Sequence, residues 1–118
     1  MQDVSMNVLS DYLLEHYTQN ASEQGLFMKL VEEIGEVAEI LNMRAGRKSH
    51  ENQPELEDNL AKELADVIHY TVAIAAINQI DLSKTIIQKD TQASIKYNHA
   101  INLADYIQSR NRSEQTEC

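Results

Sequence analysis

Two pairs of acidic residues have the types and the spacing that metal chemistry requires. Glu33 and Glu36 are three positions apart, and so are Glu63 and Asp66. On an α-helix, side chains at this spacing project from adjacent turns of one face. If two such helices packed antiparallel, the four carboxylates would converge on one point, and oxygen ligands at that density suit Mg²⁺ or Mn²⁺ better than Zn²⁺. The spacing therefore predicts a hard-cation site.

A solvated helix face is the competing interpretation. Runs of charge such as residues 32–39 usually face water. The second pair is harder to explain in that way, because Glu63 falls on an apolar stripe with Leu60 and Val67, where desolvation and like charge both oppose ionisation. Lys62 points to the opposite side of the helix, so a metal ion is the leading compensation. The alternative left open is that Glu63 meets water at an exposed end of its helix.

Helices must position these carboxylates. Residues 60–77 contain neither Gly nor Pro and are rich in Ala, Leu and Ile, and the whole chain has only 3 Gly and 1 Pro. This composition favours an all-α fold. Ser22 and Asp81 are candidate N-caps. Helical periodicity and these caps predict helices over residues 4–17, 23–44 and 54–78, then one long or two shorter helices over residues 81–110, and a disordered tail over residues 111–118.

Two apolar helix surfaces have no obvious partner within so small a fold. On the third helix, Leu64, Ile68 and Val72 form a stripe on the side away from Glu63. The region of Ile86 and Ile87 likewise needs a partner surface. The second helix carries an apolar face formed by Phe27, Leu30, Val31, Ile34, Val37, Ala38 and Leu41. We therefore expect a four- to five-helix bundle that is completed by oligomerisation, as a homodimer or as a homotetramer built from two dimers.

Length and charge restrict the classes of function. The chain of 118 residues is long enough for one domain, which we assign to residues 1–110. Asp and Glu number 19 against 10 Lys and Arg, for a net charge of −9, so nucleic acids and anionic membranes are disfavoured as partners. A bound cation can still reverse the sign locally for an anionic substrate. The single Cys118 and the absence of a signal pattern at the first residues predict a cytoplasmic protein.

One known family combines these motifs. The runs K-L-V-E-E-I-G-E-V-A-E-I, E-L-A-D-V-I-H-Y and I-D-L-S-K, within residues 26–89, resemble the MazG-like family of all-α nucleoside triphosphate pyrophosphohydrolases. That family carries the pattern EExxE, a variable gap, and ExxD. The residues of this chain that supply the pattern are Glu32, Glu33, Glu36, Glu63 and Asp66.

The resemblance implies a reaction and roles for these residues. It implies hydrolysis of nucleoside triphosphates between the α- and β-phosphates, which yields a nucleoside monophosphate and pyrophosphate. It implies Mg²⁺, with Mn²⁺ as a substitute, on Glu33, Glu36, Glu63 and Asp66. Either Glu32 or Glu36 would activate the attacking water, and the sequence does not choose between them. The expected role is house-cleaning of the nucleotide pool, with deoxynucleoside triphosphates as substrates and dCTP among the better ones.

The chain departs from the family pattern after the I-D-L segment. Relatives usually carry a Lys, an Asn four residues later and then an Arg. Here Lys89 matches, the Asn position is Ala93, Lys96 could replace the Arg, and Asn98 could act from a shifted register. We expect Lys89, Lys96 and Asn98 to contact the substrate, although an exposed helix lysine explains Lys89 equally well.

Two other classes of function compete with this interpretation. His69 follows Asp66 at helical spacing, which approximates the Glu-x-x-His motif of carboxylate-bridged di-iron bundles. That fold requires two such motifs, and the chain offers only this Asp-based one. The second competitor is a non-catalytic acidic helical module that binds another protein. Iron content tests the first, and stoichiometric Mg²⁺ binding tests the second.

Overall fold

The secondary structure of the described part of the chain consists of α-helices joined by turns and short irregular segments. The computed structural model describes residues 2–17, 22–46 and 56–116, and no strand occurs in these ranges. This confirms the predicted all-α class. The predicted start of the third helix at residue 54 lies outside the described residues. The helices are α1 (Met6–Tyr17), α2 (Glu23–Arg44), α3 (Leu56–Ile77), α4 (Leu82–Lys96) and α5 (Leu103–Thr116).

Side-chain caps fix the starts of α2 and α4. The Gly25 N–H donates to Ser22 Oγ at 3.1 Å, and the Lys84 N–H donates to an Asp81 carboxylate oxygen at 3.0 Å. Each cap satisfies a backbone donor that has no partner within the helix. Both predicted N-caps are confirmed, and α2 has the predicted bounds.

Just after each of α3 and α4, one residue adopts the left-handed backbone conformation. Gln79 and Asn98 have φ of 56° and 57°. The residue after each of them donates its N–H to a carbonyl oxygen of the helix: Ile80 to Ala75 and His99 to Ser94, both at 2.9 Å. This is the Schellman geometry that terminates helices. It explains why the stretch of residues 81–110 forms two helices.

The chain forms two compact units, Met1–Ile80 and Asp81–Cys118. In the first unit, α3 packs against both α1 and α2. Asn78 Nδ2, just after α3, donates to Glu23 Oε1 at the start of α2 at 2.7 Å, so α2 and α3 run antiparallel. In the second unit, α4 packs against α5, and Asp90 accepts the Leu103 N–H at 2.6 Å.

The core of the first unit is small and differs from the predicted one. Val72 is only 1% exposed, so it belongs to the protomer core and was wrongly assigned to the partner-facing stripe. Leu64 and Ile68 of the same stripe are 46% and 52% exposed. The buried apolar side chains of the described part are Leu13, Leu26, Ile40, Met43, Val72, Ala73, Ala75 and Ala76.

The predicted apolar face of α2 is largely exposed in the protomer. Phe27 and Ile34 are 53% and 50% exposed, and Val31 and Leu41 are exposed with them. These four recur at helical spacing and form one continuous stripe. We call this stripe, together with Leu64 and Ile68 of α3, the open apolar face. A surface of this kind is typical of protein interfaces.

The C-terminal helix extends beyond the predicted limit of the domain. We expected disorder from residue 111, but α5 continues to Thr116. The assignment of residues 1–110 to a single domain stays a prediction. Among the described helices, none combines the length and the apolar character needed to cross a membrane.

Candidate functional site

Three of the predicted metal ligands meet between α2 and α3. Glu33, Glu36 and Glu63 each offer a carboxylate oxygen, and these oxygens all lie within 4.8 Å of one another. Glu33 and Glu63 are half-buried, whereas Glu36 is exposed. The i, i+3 spacing on α2 aims two carboxylates at α3, and the antiparallel packing brings Glu63 level with them. We call this set the carboxylate cluster.

Glu63 is the most perturbed member of the cluster. Its Oε2 atom is buried and has no hydrogen-bond partner. When Glu63 is protonated it can hydrogen-bond to Glu33, and next to Glu36, and this raises the pKa of Glu63 from 4.5 to about 8; burial and the like charges act in the same direction. A buried carboxylate oxygen that lacks a donor is the arrangement that a divalent cation would satisfy.

Two residues of the acidic pattern lie outside the carboxylate cluster. Asp66, one turn after Glu63 on α3, is exposed and does not belong to the carboxylate cluster. Of the predicted pair Glu63 and Asp66, only Glu63 is therefore partly buried. Glu32 is also exposed, and its Oε2 atom is paired with Lys29 Nζ at 3.3 Å. Glu32 therefore lies apart from the cluster that contains its neighbours Glu33 and Glu36. The ligand role of Asp66 stays a prediction.

Lys29 is a cation beside the cluster that the sequence analysis did not select. A hydrogen bond to Glu32 is the main cause that raises the pKa of Lys29, and the charges of Glu32, Tyr70 and Glu33 add to it. The Lys29 side chain is 57% exposed and is paired with Glu32 on the same helix. The available signal was its position, one turn before Glu33 on the same side of α2.

His69 is engaged away from the carboxylates. Its Nε2 atom and the Tyr17 hydroxyl are 2.7 Å apart, which links α3 to α1. Burial, first, and then the charges of Tyr70 and Tyr12 raise the pKa of Tyr17. In the described part of the chain, the group of candidate ligands contains no histidine. This arrangement gives no support to a di-iron centre, which needs histidine ligands facing the carboxylates.

The predicted substrate contacts Lys89, Lys96 and Asn98 all belong to the second unit. Lys89 is exposed on α4. Lys96 Nζ lies 5.3 Å from the centroid of the Tyr97 ring, within the range of a cation–π contact. Asn98 adopts the left-handed conformation that ends α4, and asparagine is favoured there. Asn98 thus has a structural reason to be present, and the substrate role of all three residues stays a prediction.

A cavity of about 500 Å³ lies beside the N-terminal end of α2 and the C-terminal part of α3. It is lined by Glu23, Gln24, Phe27 and Ile74, none of which is a predicted site residue. Its wall is fixed at one side by the hydrogen bond from Asn78 to Glu23. The cavity is therefore separate from the carboxylate cluster, about two helical turns away along α2.

Comparison with protein families decides the assignment. Residues 21–98, more than half of the chain, match the model of the MazG nucleotide pyrophosphohydrolase domain. This chain belongs to the MazG nucleotide pyrophosphohydrolase domain family. The matched segment of the MazG domain contains the carboxylate cluster, Glu32 and Asp66. The predicted family is confirmed, and the matching model is that of a nucleotide pyrophosphohydrolase domain, which is the predicted enzyme class.

Two relatives are similar to this MazG domain. The dCTP pyrophosphatase 1 of Rattus norvegicus is 35% identical over 68 residues, which are 56% of this chain and 40% of the rat protein. The chain thus matches less than half of that relative. The crystal structure of iMazG from Vibrio DAT 722 superposes with a TM-score of 0.57 at 30% identity, over 81% of this chain and 100% of the Vibrio chain. The structural match agrees with the all-α MazG fold.

Proposed function

We propose that this MazG domain hydrolyses nucleoside and deoxynucleoside triphosphates between the α- and β-phosphates, with Mg²⁺ as cofactor. The products are the nucleoside monophosphate and pyrophosphate. The observation that carries the proposal is the carboxylate cluster, in which Glu63 Oε2 is buried without a hydrogen-bond donor. Family membership supports the class of reaction.

The donor set fits a hard divalent cation. Glu33, Glu36 and Glu63, with Asp66 from the next turn of α3, would hold Mg²⁺ or Mn²⁺ through oxygen atoms alone. When bound, the ion would neutralise non-bridging phosphate oxygens and lower the pKa of a coordinated water. The carboxylates themselves would otherwise repel a triphosphate, so the cation and the substrate need each other.

Glu32 is the better candidate for the residue that accepts the proton of the attacking water. Glu36 belongs to the carboxylate cluster, where its oxygens would be occupied by the cation. Glu32 lies outside the cluster, one turn before Glu36, and is exposed, with Lys29 as its partner. A general base needs a free carboxylate within reach of the water. In the second unit, Lys89, Lys96 and Asn98 would contact the phosphates or the sugar.

The proposed substrates are deoxynucleoside triphosphates, with dCTP among the better ones. The name of the rat relative, dCTP pyrophosphatase 1, supports this choice. Removal of surplus or non-canonical nucleotides in the cytoplasm would be the cellular role. With a net charge of −9, the protein would bind the metal complex of the triphosphate in preference to the free anion.

We further propose that the active form is a homodimer or a homotetramer. The open apolar face exposes Phe27, Ile34, Leu64 and Ile68. Burial of such side chains gains about 25 cal/mol per Å² of apolar surface, and among the described residues these four side chains stay 46% to 53% exposed. A second copy of the chain, packed with two-fold symmetry, would cover this face.

A nucleotide panel tests the proposed reaction. The full chain is treated with a chelator, supplied with Mg²⁺, and incubated with each common ribo- and deoxyribonucleoside triphosphate, and the products are separated by anion-exchange chromatography. Monophosphate and pyrophosphate in equal amounts are expected, with no reaction when the chelator remains. Orthophosphate with a nucleoside diphosphate would overturn the proposed cleavage site. The absence of turnover together with the absence of stoichiometric Mg²⁺ binding would favour an interaction module.

A further inference from the structure

Lys29 lies on the face of α2 that carries the metal ligands. At 100° per residue, Lys29 is within about 40° of both Glu33 and Glu36 around the helix axis. It is one turn closer to the N-terminus of α2 than Glu33, a displacement of about 6 Å. The face of α2 that carries Glu33 and Glu36 therefore carries the cationic Lys29 one turn earlier.

Tyr70 occupies the matching position on α3. It is two turns after Glu63 and within about 20° of it around the axis. Because α2 and α3 run antiparallel, a residue that precedes Glu33 lies opposite one that follows Glu63. Lys29 and Tyr70 thus form the layer next to the carboxylate cluster.

We propose that Lys29 binds a non-bridging oxygen of the substrate's phosphate chain, and that it exchanges Glu32 for this oxygen when the metal-bound substrate arrives. The proposal rests on the proposed function, since it assigns a further binding residue to the same site. A triphosphate extends beyond a single cation site, and the adjacent layer offers it an ammonium group. A phosphate oxygen is a strong charge-assisted acceptor for such a group.

The ion pair between Lys29 and Glu32 can be exchanged for a contact with the substrate at little cost in stability. The Lys29 and Glu32 side chains are 57% and 61% exposed, and they interact at i, i+3 spacing on one helix. Exposed pairs of this kind contribute little to stability, because water screens them. A structural role for Lys29 is therefore weak. The exchange would also release the Glu32 carboxylate at the moment when the substrate is in position.

Binding of pyrophosphate with Mg²⁺ separates this role from a general effect of charge. In calorimetric titrations, Lys29→Met should weaken the affinity for pyrophosphate in Mg²⁺ about tenfold or more, the loss expected for one charged hydrogen bond. The affinity for Mg²⁺ alone should stay equal or rise, because the variant removes a positive charge beside the cluster. Lys29→Arg should recover much of the pyrophosphate affinity.

Lys62→Met is the matched control, because it makes the same change at an exposed position of α3. It should bind pyrophosphate as the wild type does. Equal affinities for Lys29→Met and Lys62→Met, with unchanged melting temperatures, would overturn the inference, as would a wild type that does not bind pyrophosphate in Mg²⁺. The proposed function fails separately, if the wild type binds pyrophosphate but cleaves no nucleoside triphosphate.

Discussion

Carboxylate oxygens of Glu33 on α2 and Glu63 on α3 lie within 4.8 Å of each other. Two like charges at this distance oppose folding unless a proton or a cation neutralises them. The protein must therefore be more stable with a ligand in this position than without one. Four of the predictions below follow from this pair, and the fifth concerns the opposite, apolar side of the same helices.

Mg²⁺ should raise the melting temperature of the protein. A ligand that binds only the folded state stabilises it by RT ln(1 + [L]/Kd), which is about 2.7 kcal/mol at a hundredfold excess over Kd. Differential scanning fluorimetry at millimolar Mg²⁺ and with chelator measures the shift. Equal melting temperatures in the two conditions would contradict a shared cation site. K⁺ at equal ionic strength controls for salt screening.

Without metal, the contribution of Glu63 to stability should decrease as pH rises. The pKa of Glu63 is about 8 in the folded protein against 4.5 as the ordinary value. Between these values the folded state holds a proton that the unfolded state has released, so the free energy of unfolding falls with increasing pH. The contribution is complete below about pH 4.5 and is lost as pH approaches 8.

Urea unfolding in chelator across this pH window tests the effect, with Glu63→Gln as the reference. The variant cannot titrate at this position, so the difference between the wild type and Glu63→Gln isolates the carboxyl group. The two curves should diverge as pH increases. Curves that stay parallel would show that Glu63 titrates normally in the folded state.

Glu63→Gln should separate activity from stability. The amide keeps the shape of the side chain but removes a charged metal ligand, so kcat/KM should fall about a hundredfold or more. In chelator at pH 8 the same variant should melt above the wild type, since an amide can donate to Glu33 and repels nothing. Glu15→Gln, at an exposed position on α1, controls for the loss of one negative charge. Loss of helical circular dichroism would instead indicate a purely structural role.

Asp66→Asn tests whether the exposed carboxylate joins the site. If Asp66 turns toward the cation, as the acidic pattern predicts, its loss should weaken Mg²⁺ binding and activity together, about tenfold or more for one ligand. The melting temperature in chelator should hardly change, because Asp66 is exposed. Mg²⁺ titration by calorimetry and steady-state kinetics provide the two measurements. Wild-type values in both would limit the site to the three clustered residues.

Local signals in the sequence were sufficient for the starts of α2 and α4 and for most of the cluster. Ser22 and Asp81 form the predicted caps because a cap depends on only three or four consecutive residues. Glu33 and Glu63 meet because acidic residues at helical spacing and antiparallel packing leave few other arrangements. The family pattern pointed to the same residues.

Local sequence signals could not predict which apolar residues of α3 are buried. Ile68 and Val72 are one turn apart on the same side of the helix, yet Val72 is buried and Ile68 is exposed. A helical wheel gives the direction of a side chain but not the length over which a neighbouring helix covers it. Lys29 was missed for a related reason, since an exposed lysine on an acidic helix has no distinctive pattern until α3 lies beside it.

The difference in burial between Ile68 and Val72 also provides a test of oligomerisation. Ile68→Glu places a charge on the open apolar face, where it should split an oligomer and leave the protomer folded, because the side chain is already 52% exposed in the protomer. Val72→Glu puts the same charge into the protomer core, where an unpaired buried carboxylate should unfold the chain. Light scattering coupled to size exclusion, with circular dichroism on the same samples, distinguishes the two outcomes. A wild type that is monomeric at micromolar concentration, with activity equal to that of Ile68→Glu, would mean that the open apolar face does not bind a second copy.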